Sequence, residues 1–326
     1  MNQGIFTISL DFELHWGRLD KFPLSGQEAY YLNARKAIPE ILRLFEKYGI
    51  EATWATVGML FASDWEEWEH YTPEILPSYK QQKLSAYHWA LQNKMANPKC
   101  LFAPELISAI NEVPGQEIGS HTFAHYYTME EGQGKDQFRA DLKAAKKIAF
   151  DKMGISLTSL VFPRNQFDPS SLRVCKQEGF EMVRGNPSDW FWKKPEDNDF
   201  WKKVFRTGDT LYPLGHTTSY PVDKILEEEC GVLNAPASRL LRPYRVPSLF
   251  NKRRINRIVG EMEHAAQKGE TYHLWWHPHN FGHHTEKNLQ LLEYLLKTYQ
   301  KLRDRFGMES RAMRSLSGII EVKAVS

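Results

Sequence analysis

Cysteine is scarce in this chain, with only Cys100, Cys175 and Cys230 among 326 residues and no Cys-x-x-Cys pair. That argues against a disulfide framework or a thiolate zinc site. Excess charge of either sign is also lacking, since 42 Lys plus Arg face 40 Asp plus Glu for a net of +2. Such a balance gives no global field for nucleic acid or an anionic membrane, so no nucleic-acid partner is expected and any basic patch must be local. Long hydrophobic runs are missing too. The longest, around Thr53 to Ala62, contains a glycine and falls short of the ~18 residues of a membrane span, so no integral membrane segment is expected. The first residues reach Asp11 and Glu13 without a basic leader, which makes the cytoplasm the expected location. No internal repeat or low-complexity tract interrupts the chain. What is present is 42% hydrophobic and 25% charged residues, the composition of a globular protein with a sizeable core. The length suits two domains or one α/β barrel of ~250 residues with additions.

The run Gly4 to Leu10 is apolar and β-branched and leads straight into Asp11, as a buried strand ending in polar groups would. Apolar residues at helical spacing from Asn33 to Tyr48, closed by Gly49, lead to a second strand-like run, Glu51 to Val57. This βαβ start implies a parallel sheet with helices outside and ligands at the carboxyl ends of the strands. Residues 63–114, rich in Trp, Tyr, Glu and Lys, carry no strand signal and predict a helical insertion. Alternation resumes with EIGSH, a helix over Asp136 to Lys152, the strand SLTSLVF, the helix SSLRVCKQE and the strand FEMVRGN. Residues 188–247 look like a long irregular excursion over the barrel rim. A helix over Asn256 to Gln267, a strand YHLWW and a helix over Asn288 to Phe306 complete the pattern. One catalytic domain over 1–326 accommodates all of it.

Asp11 and Glu13, two apart, share one face of a strand and could converge on one ion; an acidic strand end or helix cap is the plainer reading. His121 and His125 in GSHTFAH would share one side of a helical turn capped by Ser120, the spacing of a metal-ligating pair, unless they are two unrelated histidines. The residue after His121 is Thr122, so the zincin glutamate is absent and the pair supplies ligands only. Two imidazoles and one carboxylate leave coordination positions open for water, and Glu13 is the natural third ligand. His277 and His279 follow the YHLWW strand, with His283 and His284 beyond, and imidazole is the group suited to proton donation near neutral pH. A second metal site or a hydrated loop competes with that reading. Arg164 in VFPRNQF could hold a carboxylate bidentately. Trp16, Trp190 and Trp276 could stack on sugar rings, though most of the 10 tryptophans must pack in the core. The basic run Arg239 to Arg257 could meet a phosphate or other acid, or form a solvated helix face.

Taken in order, SLDFE, GSHTFAH, FPRNQF, VRGNPSDW and HLWWHP resemble the successive motifs of the polysaccharide deacetylases, the NodB-homology carbohydrate esterases. The resemblance implies a distorted, incomplete (β/α)7 barrel, here with a helical insertion and a long rim excursion. It also implies metal-dependent hydrolysis of an N-acyl group, normally acetyl, on an amino sugar of a glycan, lipid-linked glycan or nucleotide-sugar precursor. On that likeness Asp11 is the general base, Glu13, His121 and His125 hold a divalent metal with zinc the expected ion, and Arg164 orients the base. Asp189 and Trp190 would form the acyl pocket. His277 would be the general acid, with His279 a second candidate for that role. The chain departs from the usual adjacent aspartates by reading Asp-Phe-Glu, and Pro163 precedes Arg164 where the family commonly has the proline afterwards. An amidase acting on a small non-sugar amide and a non-catalytic glycan-binding descendant are the alternatives. Oligomeric state is left open.

Overall fold

The computed structural model describes residues 3–187, 200–201, 208–209, 215, 217–228, 230–246 and 249–325. Ten strands form one sheet: β1 (Ile5–Phe12), β2 (Ala52–Thr56), β3 (Gln116–Ser120), β4 (Ser159–Leu160), β5 (Met182–Gly185), β6 (Leu226–Glu227), β7 (Leu233–Pro236), β8 (Arg239–Leu240), β9 (Thr271–Trp276) and β10 (Glu309–Ser310). Their order is β6-β7-β5-β4-β3-β2-β1-β9-β8, and β10 pairs with the start of β1. Eight of them, from β7 to β8, run parallel in a row, and β6 is antiparallel at one edge. The row curls without closing, as an incomplete (β/α) barrel does.

Helices separate the strands: α1 (Glu28–Tyr48), α2 (Trp65–Tyr71), α3 (Ala86–Gln92), α4 (Pro104–Glu112), α5 (Lys135–Met153), α6 (Pro169–Gln177), α7 (Leu249–Lys268), α8 (Thr285–Phe306) and α9 (Met313–Val325). Gly49 and Gly154 end α1 and α5 in the left-handed conformation, φ 64° and 66°, where a side chain would be strained. Between β2 and β3 the chain makes only short helices and 3-10 turns, matching the insertion expected at 63–114. Part of the stretch expected as an excursion lies in the sheet instead: from Tyr220 onward the chain contributes β6, β7 and β8. None of the described helices is long and apolar enough to cross a membrane.

All eight residues of β1 are buried, since this strand lies between β2 and β9 with helices behind it. Alternation splits them. Phe6 packs on Tyr272 and Tyr299, and Phe12 on Trp54, on the helix side. Ser9 and Asp11 face the barrel interior, where Ser9 meets His273 of β9 and Asp11 meets Arg184 of β5. Because the strands are parallel, Asp11, Ser120, Arg184 and Trp276 all stand at or near carboxyl ends on the same rim.

Candidate active site

Glu13 follows β1, and the chain turns at Leu14 through a positive φ of 47°. The turn brings the carboxylate toward the loop after β3. There Glu13 Oε1 lies 3.0 Å from His121 Nε2 and 3.3 Å from His125 Nε2. Gly17 sits against this carboxylate so closely that a Cβ would overlap it. The expected helical turn under the histidine pair is corrected by the structure, which shows an irregular loop over 121–127 with Thr122 and His125 at φ 64° and 53°. Side chains pin that loop: Ser120 Oγ accepts from the Thr122 amide, Thr122 Oγ1 from Tyr126, and Asp141 of α5 from Phe123 at 2.6 Å and Ala124 at 3.0 Å. Two positive-φ residues side by side with an active group are affordable only in a surround held this firmly.

His121 Nδ1 lies 2.7 Å from the Val161 carbonyl, so its N–H donates there and the Nε2 lone pair faces Glu13 Oε1 at 3.0 Å, an acceptor against an acceptor that a cation between them would reconcile. Two ligands about 2.1 Å from one ion, at angles between octahedral and tetrahedral, stand about 3.0–3.4 Å apart. The Glu13–His121 and Glu13–His125 distances fall in that range, and the three ligand atoms lie within 4.8 Å of one another. A buried carboxylate facing two imidazole nitrogens suits a divalent cation. Burial works against ionised Glu13, but the charge of His277 and the close contacts with His121 and His125 outweigh it and hold the carboxyl well below its ordinary range.

Asp11 is gripped by Arg184 through two parallel contacts, Nη1 to Oδ1 at 2.6 Å and Nη2 to Oδ2 at 2.8 Å. Arg184 is wholly buried. It also donates to Ser9 Oγ at 3.0 Å and Asn165 Oδ1 at 2.8 Å, and its guanidinium lies 4.2 Å over the Trp275 ring. Ser9 in turn donates to His273 Nε2, whose Nδ1–H reaches the Pro236 carbonyl, so one tautomer satisfies the whole chain of bonds. Burial pushes the Asp11 pKa up, yet Arg184, with His121 and His277, leaves it lowered. His277 Nε2 stands 3.8 Å from Asp11 Oδ2 and 3.5 Å from Glu13 Oε1, and its side chain is 25% exposed, which makes it the solvent-facing member of the group. His279 is buried against Tyr30 and Tyr31, its Nδ1 3.8 Å from Glu13 Oε2. Burial, then the charge of His277, depresses its pKa to about 3.

Several expected roles move. Arg164 does not touch Asp11; it pairs with Asp20 at 2.7 Å and with Glu130, and lies over the Tyr127 ring. Arg164 and Asn165 occupy successive positive-φ positions, 59° and 53°, so the turn sends Arg164 away and delivers Asn165 to Arg184. Trp16 is fully buried, donates to the Leu101 carbonyl and packs on Trp65, Trp89 and Phe102. Trp276 is buried between Phe45 and Phe281. Neither ring is open to a sugar, because strand alternation turns Trp276 to the helix side and Trp275 to the interior. Asp189 and Trp190 lie outside the described residues. The sequence carried one usable signal for Arg184, an arginine inside the apolar strand FEMVRGN, which must find a buried carboxylate.

The family model for polysaccharide deacetylase matches residues 61–183. No curated protein matches the chain. Among solved structures the fold is similar to a protein from Mycobacterium smegmatis described as a polysaccharide deacetylase, at 12% identity, TM-score 0.64 and coverage of 99% of this chain and 92% of that one. It is also similar to one from Pseudomonas aeruginosa PAO1 with the same description, at 14%, 0.55, 95% and 88%, and to the Puue allantoinase, at 14%, 0.53, 91% and 84%. Asp11, Glu13, Arg184 and His277 lie outside the stretch matched by the family model, so their grouping rests on the geometry above.

Proposed function

We propose that this chain, whose residues 61–183 match the family model for polysaccharide deacetylase, is a metal-dependent hydrolase that removes an N-acetyl group from an amino sugar. The observation that carries the reading is the convergence of three elements at one rim: the Glu13, His121 and His125 ligand set, the ionised Asp11 held by Arg184, and the partly exposed His277.

A divalent ion held by Glu13, His121 and His125, zinc being the first candidate, would polarise the acyl carbonyl and acidify water. Asp11, kept ionised by Arg184, accepts a proton from the attacking water; both its oxygens keep a lone pair beyond the arginine contact. Arg184 cannot rotate away, because Ser9, Asn165 and Trp275 fix it on three sides. His277 delivers a proton to the departing nitrogen, so that it leaves as an amine. His279, neutral by burial, lies 3.8 Å from Glu13 without a hydrogen bond and packs against the His277 ring at 5.0 Å rather than donating a proton. Acetate and a free amino sugar result.

The test is acetate release from N-acetylated sugars and glycan oligomers, with cyclic and linear amides in the same panel because an allantoinase shares the fold. Activity on the sugars, abolished by chelator and restored by Zn²⁺, is expected. Asp11→Asn should keep the metal and lose 10²–10⁴-fold in turnover. Full turnover in that variant, or turnover of the amides alone, would overturn the reading.

A further inference from the structure

A cavity of about 220 Å³ borders the candidate site, some seven times the share of one water in the liquid, about 30 Å³. Its wall includes Asn165, which accepts from Arg184, and Trp275, on which Arg184 lies. The cavity wall and the Arg184–Asp11 pair therefore share side chains. On the far wall, Leu241 and Ile255 are apolar, while Arg242, just after β8, and Arg254 of α7 bring charge.

Neither arginine has a carboxylate partner among the described residues, and the Nε of each is buried without a hydrogen-bond acceptor. Asp209 and Glu261 are already engaged, by Arg239 at 2.8 and 2.6 Å and by Arg257. Burial, then the charges of Arg254 and Arg245, lowers the pKa of Arg242, and burial, then Arg245, lowers that of Arg254. Two guanidiniums thus line one partly desolvated space, and the exposed Arg245 outside it adds a third like charge nearby. Positive charge placed so is costly unless something negative answers it. The guanidinium fork fits the oxygens of a phosphate or carboxylate. Two such cations match a dianion, and a phosphate monoester carries about −1.5 to −2 at pH 7.

We propose that this cavity is the subsite for the phosphate of a phosphorylated amino sugar, gripped by Arg242 and Arg254 while the N-acyl group lies at Asp11 and His277. The sugar rests on the function proposed above; the phosphate grip does not, and direct binding separates them because it needs no turnover.

The experiment is isothermal titration of the full-length protein with inorganic phosphate, N-acetylglucosamine and N-acetylglucosamine 1-phosphate. Saturable phosphate binding that weakens with salt is expected, with the sugar phosphate binding more tightly than either part. Arg242→Gln and Arg254→Gln should each weaken phosphate about tenfold or more. Arg254→Lys, which keeps the charge and loses the fork, should retain part of the affinity and carries the test if a glutamine variant fails to fold. Arg43→Gln, on an exposed stretch of α1, should change nothing. Phosphate affinity that is absent, or unmoved in both glutamine variants, overturns the proposal. Phosphate that binds there while the sugar phosphate gains nothing marks a site for the free ion and overturns it equally.

Discussion

Removing the Arg184 side chain isolates the one charge on which the proposed base depends. In Arg184→Gln, Asp11 stays in a pocket where it is 3% exposed but loses two contacts of 2.6 and 2.8 Å. Breaking a buried pair from one side typically costs about 3–5 kcal/mol, because the remaining charge is neither solvated nor paired. Against a whole-protein stability of about 5–15 kcal/mol that is a large fraction. In the intact pair the folded-state pKa of Asp11 is below its ordinary 3.8, so its stabilising contribution is present above pH ~4 and fades as pH falls through the lower folded value. In the variant burial is opposed only by His121 and His277, and the pKa rises. The acid limb of kcat/KM should then move to higher pH, and urea denaturation should show the loss at neutral pH. Adding Asp11→Asn removes the stranded charge, so the double variant should be more stable than the sum of the single effects by about 2 kcal/mol or more. Strict additivity, with an unshifted acid limb, would refute the coupling. Arg164→Gln is the contrast: Asp20 is buried at 6% but Arg164 is 24% exposed, so water answers part of the stranded charge and a smaller loss than for Arg184→Gln is expected.

His277→Ala should lower kcat by about 10²–10⁴ with metal retained, while His279→Ala should leave most of kcat in the metal-loaded protein and weaken metal retention; turnover and metal titration on both decide between them. Asp141→Asn puts an amide N–H against one of the two backbone donors of the His121–His125 loop, and metal titration should show affinity lowered about 10–100-fold with the loop's ligands untouched. Trp16→Ala should cost about 3–5 kcal/mol in denaturation as a core deletion; a specific loss of sugar affinity without loss of stability would restore it as a stacking platform.

The order of the main elements could be read along the chain because β1, β2, β3 and β4 are each followed by a helical period, whereas β6, β7, β8 and β10, two to four residues long, gave no such signal. The carboxyl-end address of Asp11 and of His277 came from the same reading, since a polar residue after a buried strand has to emerge at the rim. The histidine pair was recognisable by type and spacing. Its conformation was not: the loop over 121–127 uses two positive-φ residues that Ser120, Thr122 and Asp141 hold in place, and long-range hydrogen bonds leave no local mark on a sequence.

What the one-dimensional order determined, then, is which residues reach the rim, because strand periodicity and the common direction of parallel strands are local properties. Which of them meet was decided by the fold alone. Arg184 reaches Asp11 across 173 positions of chain through a strand pairing order that no neighbouring residue encodes. Arg164, the arginine with the more suggestive motif, is turned aside by backbone dihedrals at its own position. The two tryptophans before His277 differ only in parity, yet one lies in the core and the other lines the cavity, because the sheet has an inside and an outside that appear only once it curls.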